Sequence, residues 1–324
     1  MQLKGIHHVS AMTAEAPRNF DFYTKVLGLR LVKKTVNQDD TSVYHLFYGD
    51  EKGNPGTELT FFEFPMLARN REGISSISSI SLRVAGDEAL AYWKRRFAEH
   101  GVDHDEIVDR AGRMTLAFRD PEGQRLVLVS DEHNTGVASG TPWDKSPVPA
   151  EYGIRGLGPV QLTVGQAEFT VAVLTQLMGF RLKGYYPSFV KGQPDVVVLE
   201  TGEGGSGAEV HVEERHDLPR EQLGRGGVHH VAFRVDNDEE LHQWIRRIRE
   251  AKLANSGFVD RFYFRSLYFR EPNGILFELA TDGPGFDTDE DLQNLGESLA
   301  LPPFLESQRE RIEARLKPLN TKPN

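Results

Sequence analysis

One structural unit is written four times along this chain, and such a repeat restricts the fold more than any single residue does. The first copy opens Gly5-Ile6-His7-His8-Val9, continues through a helical stretch from Asn19 to Leu27, and closes with strand-like runs from Tyr44 to Tyr48 and Glu58 to Phe64. The second runs from Ile77 to Val84, has a helical segment from Glu88 to Glu99 stopped by Gly101, and ends in Arg113 to Arg119 and Gln124 to Ser130 around the turn Asp120-Pro121-Glu122-Gly123. The third begins Gly158-Pro159-Val160-Gln161-Leu162, has a helix ending near Met178-Gly179-Phe180, and closes with Val196 to Leu199 and Ala208 to Glu213. The fourth opens Gly227-Val228-His229-His230-Val231, carries a helix from Glu239 to Glu250, and ends Ser266 to Phe269, Glu271-Pro272-Asn273-Gly274 and Ile275 to Ala280. Each copy reads βαβββ, so the expected class is α+β.

The domain organisation follows from the repeat. Residues 1–137 form an N-terminal half of two modules, about 5–66 and 77–132, and residues 155–283 a C-terminal half of two more, about 156–214 and 226–282. The Pro-, Gly- and Ser-rich stretch 138–154 reads as the linker between them. A tail, 284–324, turns acidic at Asp287, Asp289, Glu290 and Asp291 and then offers a helix from Phe304 to Leu316.

Composition narrows the chemistry. The 324 residues are 39% hydrophobic and 27% charged, which is ordinarily globular. A formal charge of -10 argues against nucleic acid or anionic lipid as partners. With no apolar run long enough for a membrane span and no leader pattern after Met1, the expected location is the cytoplasm. Cysteine is absent, which excludes disulfides, Fe–S clusters and thiolate sites; any metal must be held by nitrogen and oxygen. The Gly202 to Gly207 run lies between strands and lacks the Lys-Ser/Thr of a phosphate loop.

Comparison of the copies picks out a metal site. The opening strands align His8, Ser79, Gln161 and His230, so copies one and four alone place histidine there, and the closing turns set Glu278 opposite Val127. Glu278 sits inside the apolar run Ile275-Leu276-Phe277-Glu278-Leu279, where an unpaired carboxylate is costly. Two imidazoles and a carboxylate form a facial triad with open positions, suited to Fe(II) or Mn(II) rather than to closed structural zinc. Because His8 and His230 belong to different copies, the site requires modules one and four to pack together. Modules two and three then form a partner cup without metal.

The openings GIHHV and GVHHV, the stretch FYTKVLGLRLV and the closing REPNGILFEL make the chain similar to the vicinal oxygen chelate superfamily, whose βαβββ modules pair into cup-shaped mixed sheets around a metal. LGLRLVKKTVNQDD, YHLFYGDEKGNPGTELTFF and LYFREPNGILFELATDGPGF resemble bacterial ring-cleaving dioxygenases acting on hydroquinones, from His7 to beyond Leu301. That resemblance implies Fe(II), an aromatic substrate and O2. It also implies that His7 and His229 orient the substrate or the metal ligands or act as acid–base groups, and that Arg261 and Tyr268 contact the substrate. Simple alternation would instead turn His7 and His229 to the other face, under the helices. Ser10 should share the face of His8, within reach of a substrate oxygen.

Glu58 and Glu63 keep an alternative open. They lie 50 and 55 residues after His8, against 48 between His230 and Glu278, and face opposite ways. A fourth carboxylate ligand from either would favour a glyoxalase I-like isomerase using Ni or Zn. Where the ring-cleaving pattern has an apolar residue, this chain has Glu58. The third reading is a non-catalytic protein that binds aromatic compounds. In copy three, Gln161 and His211 are read as a weak metal pair or the remains of one. Assembly into a homo-oligomer is left open.

Overall fold

The structure is a computed structural model, and it describes residues 1–322. Module one contributes strands β1 (Ile6–Thr13), β2 (Arg30–Val36), β3 (Tyr44–Gly49) and β4 (Glu58–Glu63). Module two contributes β5 (Ser76–Val84), β6 (His104–Arg110), β7 (Arg113–Arg119) and β8 (Arg125–Ser130), and module three β9 (Leu157–Val164), β10 (Arg181–Tyr186), β11 (Val196–Glu200) and β12 (Glu209–Glu214). Module four supplies β13 (Val228–Val235), β14 (Val259–Asp260), β15 (Phe264–Arg270) and β16 (Leu276–Pro284).

The strands assemble into two eight-stranded mixed sheets, ordered β14-β15-β16-β13-β1-β4-β3-β2 and β10-β11-β12-β9-β5-β8-β7-β6. Modules one and four therefore share one sheet and modules two and three the other, as the two histidines required. Each sheet is joined at its centre by two antiparallel first strands, β1 with β13 and β5 with β9, while within a module the first and last strands run parallel.

The helices cover the outer faces. In α2 (Asp87–His100), Ala89, Leu90, Trp93 and Phe97 are buried, and the helix ends at Gly101, whose φ of +65° favours glycine. In α4 (Asp238–Glu250) the buried set is Leu241, Trp244, Ile245 and Ile248, one stripe at helical spacing. The Asn237 side chain caps its start by accepting from Glu240 N. Modules one and three instead carry short helices, α1 (Ala16–Asp21) and α3 (Ala167–Ala172). Each widens into a π turn, closed by Leu27 N donating to Phe22 O and Met178 N to Val173 O.

Residues 131–156 hold no helix or strand but pack on module two, where Trp93 Nε1 donates to Tyr152 O and Tyr152 stacks on Tyr92. The tail departs from expectation. The single helix read over 304–316 is two short pieces, α5 (Pro303–Glu306) and α6 (Arg309–Glu313), anchored by buried Leu305, Ile312 and Leu316. Ahead of them, Phe286 and Leu295 join Val32, Phe47, Tyr263 and Phe264 in an apolar cluster within the module one–four half. No described helix is long and apolar enough to cross a membrane.

Candidate metal centre

Alternation along β1 sends Val9 and Ala11 to the helix-side core and His8, Ser10 and Met12 to the concave face, where they line a cavity. Pairing with β13 is interrupted twice. Ile6 pairs with Phe233 but His8 with Ala232, so His7 is an extra residue; Ser10 pairs with His230 but Ala11 with Val228, so His229 is another. A bulge of this kind turns two successive side chains toward the same face. This corrects the simple alternation: His7 and His229 lie beside His8 and His230.

Three side chains converge at the seam. His8 Nε2 and His230 Nε2 are 3.2 Å apart, and Glu278 Oε2 lies 3.1 Å from the first and 2.8 Å from the second. These edges are close to the roughly 3.0 Å expected between three mutually cis ligands with bonds near 2.1 Å, and below the roughly 3.4 Å of a tetrahedron. All three residues are buried, and Glu278 Oε2 is left without a geometrically sound hydrogen bond. The donor set fits a divalent cation held on one face, with other positions open.

The surrounding hydrogen bonds fix the tautomers. His7 Nε2 sits 3.0 Å from the carbonyl of Thr281, so that nitrogen must carry the proton and donate. His7 Nδ1 is then the acceptor for His8 Nδ1–H at 3.0 Å, which leaves a lone pair on His8 Nε2 facing the convergence point. The pattern recurs in module four, where His229 Nδ1 is 2.8 Å from His230 Nδ1. Burial, reinforced by the adjacent His8 and His230, pushes both His7 and His229 down to about 3, so both are neutral. Burial alone would raise the Glu278 carboxyl, but its electrostatic interaction with the facing His8 and His230 holds it well below the usual range. Ser266 Oγ donates to Glu278 Oε1 at 2.5 Å and orients it. Ser266 carried no signal in the sequence, since a strand serine is commonplace.

The register settles which residues correspond. Ala232 pairs with Glu278 and its counterpart Ser10 pairs with Thr60, so Thr60 is the module-one mate of Glu278. Glu58 stands two residues earlier, where module four has Leu276. Its Oε2 lies 3.6 Å from His7 Nδ1. Burial raises its carboxyl well above the ordinary value, toward the neutral acid. His7, His8 and Glu58 also cluster, but the facing nitrogens of that group are already engaged with each other. Glu63 points to the other side and caps α1 by accepting from Ala16 N at 2.8 Å.

In module three, Gln161 pairs with His211 as Ala232 pairs with Glu278. Pro159 therefore holds the position of His230, and the alignment of Gln161 with His8 and His230 is corrected. The second cup offers Ser79, Val127, Pro159 and His211 at the four ligand positions, one ligand in all. His211 is itself occupied, with Nδ1 3.1 Å from Tyr186 Oη and Nε2 3.3 Å from Glu209 Oε2.

The cavity beside the triad has a volume of about 290 Å³. Met12, Phe47, Phe62 and Phe264 give it apolar walls, and Ser10, His45, His229, Arg261 and Tyr268 give it polar groups. Arg261 is anchored: Nε donates to Tyr268 Oη at 3.2 Å, and Nη1 and Nη2 reach Asp39 at 3.2 and 3.0 Å across the mouth. Burial and the Glu278 charge raise the Tyr268 phenol, so its hydroxyl keeps a proton to donate.

Two stretches, residues 5–128 and 156–279, match the family model of the Glyoxalase/Bleomycin resistance protein/Dioxygenase superfamily, and the chain belongs to that superfamily. Among its relatives is the Bacillus subtilis (strain 168) protein named "Putative ring-cleaving dioxygenase MhqA", 60% identical over 98% of this chain and 100% of that protein. The chlorohydroquinone/hydroquinone 1,2-dioxygenase of Sphingobium indicum is 30% identical over 96% of this chain and 95% of that one. A solved chain from Bacillus subtilis described as a "putative dioxygenase" superposes with a TM-score of 0.89 at 34% identity, covering 100% and 99% of the two chains. Maize glyoxalase I, at 13% identity and a TM-score of 0.65 over 91% and 97%, shares the fold.

Proposed function

We propose that this chain is an Fe(II)-dependent ring-cleaving dioxygenase that opens a hydroquinone-like or catechol-like ring with O2, with the iron held by His8, His230 and Glu278. The observation that carries the reading is Thr60. A glyoxalase I-like isomerase needs a fourth ligand at the mate of Glu278, and a neutral hydroxyl stands there, which leaves room for two small ligands side by side. The relatives named for ring cleavage, one of them for hydroquinones, support the same reaction.

Iron, when bound, supplies a Lewis acid for the ring hydroxyl and a redox partner for O2. The protein supplies the rest. Phe62 and Phe264 confine a flat ring beside the triad and exclude water. Tyr268 donates its phenolic proton to a ring oxygen, and Arg261, tied to Asp39, holds Tyr268 in place and adds positive charge that favours a phenolate. His229, whose Nδ1 accepts from His230, presents a neutral Nε2–H at the cavity as a hydrogen-bond donor to a substrate oxygen. His7 locks the tautomer of His8, and Ser10 offers a hydroxyl within the pocket.

The test is anaerobic loading with Fe(II), followed by oxygen uptake with methylhydroquinone and catechol. One O2 consumed per ring with at least one of them is expected. No uptake by protein shown to hold one iron per chain overturns the reading.

A further inference from the structure

We propose that His45 is a substrate-contacting residue that reads a second ring hydroxyl, the one on the module-one side of the cavity opposite Tyr268 and Arg261; this rests on the ring-cleaving reading above. His45 lies on β3, and the pairs Phe47–Thr60 and His45–Phe62 match Tyr268–Glu278 and Ser266–Ala280 in module four. His45 is thus the counterpart of Ser266. Just as Ser266 bonds Glu278, His45 Nε2 bonds Thr60 Oγ1 at 3.0 Å. Module four spends this pair on holding a ligand carboxylate; module one has a longer side chain and no carboxylate to hold.

What His45 offers follows from its bonds. Thr60 Oγ1 also contacts Ser10 Oγ, at 2.7 Å, so its single proton serves one neighbour while it accepts from the other. The imidazole ring sits between Phe47 and Phe62, with centroids 4.0 and 4.1 Å away. It lines the cavity, and its Nδ1 has no hydrogen-bond partner among the described residues. Desolvation keeps the ring neutral, so Nδ1 is one donor or one acceptor, as the Thr60 bond dictates. Leaving such a group unpaired when a flat apolar ring fills the pocket is costly, whereas a ring hydroxyl can pair with it in either tautomer. Tyr268 and Arg261 line the cavity from the module-four arm of the sheet and His45 from the module-one arm. A ring with hydroxyls on opposite sides meets polar partners at both ends, and a ring with one hydroxyl meets only one.

The test measures binding and turnover separately in Fe(II)-loaded protein, comparing wild type with His45→Phe, which keeps an aromatic ring at that position, and His45→Gln, which restores one polar group. Anaerobic calorimetry with methylhydroquinone and with 4-methylphenol, which lacks the second hydroxyl, reads the contact without requiring a reaction. His45→Phe should raise the Kd of methylhydroquinone about ten-fold, leave that of 4-methylphenol within about two-fold, and keep one iron per chain; His45→Gln should recover part of the loss. Equal losses for both ligands, an unchanged Kd for methylhydroquinone, loss of iron, or no methylhydroquinone binding by wild type each overturn the contact. A discriminating Kd without oxygen uptake supports the contact while overturning ring cleavage.

Discussion

Glu278 offers one oxygen to the convergence point and the other to Ser266, and both imidazoles are held by a neighbouring imidazole. Glu278→Gln removes the only charge among the three donors, and metal content after dialysis, read by elemental analysis, should fall below a tenth of wild type. Ser266→Ala leaves the donors intact but frees the carboxylate to rotate; competition with a chelator should show about 10- to 100-fold weaker metal binding. The neutral histidines also set a pH dependence. His7 and His229 titrate near 3 in the fold and near 6.5 when unfolded. The unfolded chain therefore binds more protons below 6.5, so their contribution to stability is fully present above that pH and is lost as pH falls toward 3. Urea titrations of metal-free protein between pH 7 and 4 should show a loss approaching about 1.4 kcal/mol per pH unit for each histidine.

Among the elements, the acidic stretch after β16 has a defined task. Lys33 on β2 is fully buried, and its ammonium is met by Asp289 Oδ1 at 2.7 Å, Glu290 and the carbonyl of Phe286 at 3.0 Å, over the ring of Tyr263. Asp289 Oδ2 also accepts from Tyr263 Oη at 2.8 Å, which ties the tail to the β14–β15 corner beside Arg261. The double variant Asp289→Asn, Glu290→Gln strands that ammonium in a dry site. A loss of roughly 3–5 kcal/mol in urea unfolding at pH 7 is expected, with retained stability as the outcome that refutes this role. The bulges at His7 and His229 act at the same scale: each adds a residue to one strand, and both lie at the seam where the two modules meet.

Across the whole molecule, two cups of the same architecture have diverged. One holds a complete donor triad; the other retains His211 alone, bound to Tyr186 and Glu209, with Pro159 and Val127 where donors would be needed. Metal stoichiometry should therefore be one per chain rather than two. His211→Ala should leave metal content and oxygen uptake unchanged, and a halved metal content in that variant would show the second cup to be a working site.

The four-module plan, the pairing of modules one and four and the convergence of His8, His230 and Glu278 were legible in the chain because they depend on residue type at repeated positions. Equivalence between copies survives differences in loop length when a distinctive signature such as Gly-Ile-His-His-Val or Glu-Pro-Asn-Gly marks it. Where the signature was weak, counting failed: Glu58 was weighed as a mate of Glu278, and Gln161 was aligned with His230. Strand pairing gives those places to Thr60 and Pro159. Register is set by which backbone groups meet across a sheet, and one inserted residue turns the following side chains to the opposite face. No residue type announces that insertion, so the inward turn of His7 and His229, the Thr60–His45 pair and the Asp39–Arg261 clasp exist only once distant strands have met.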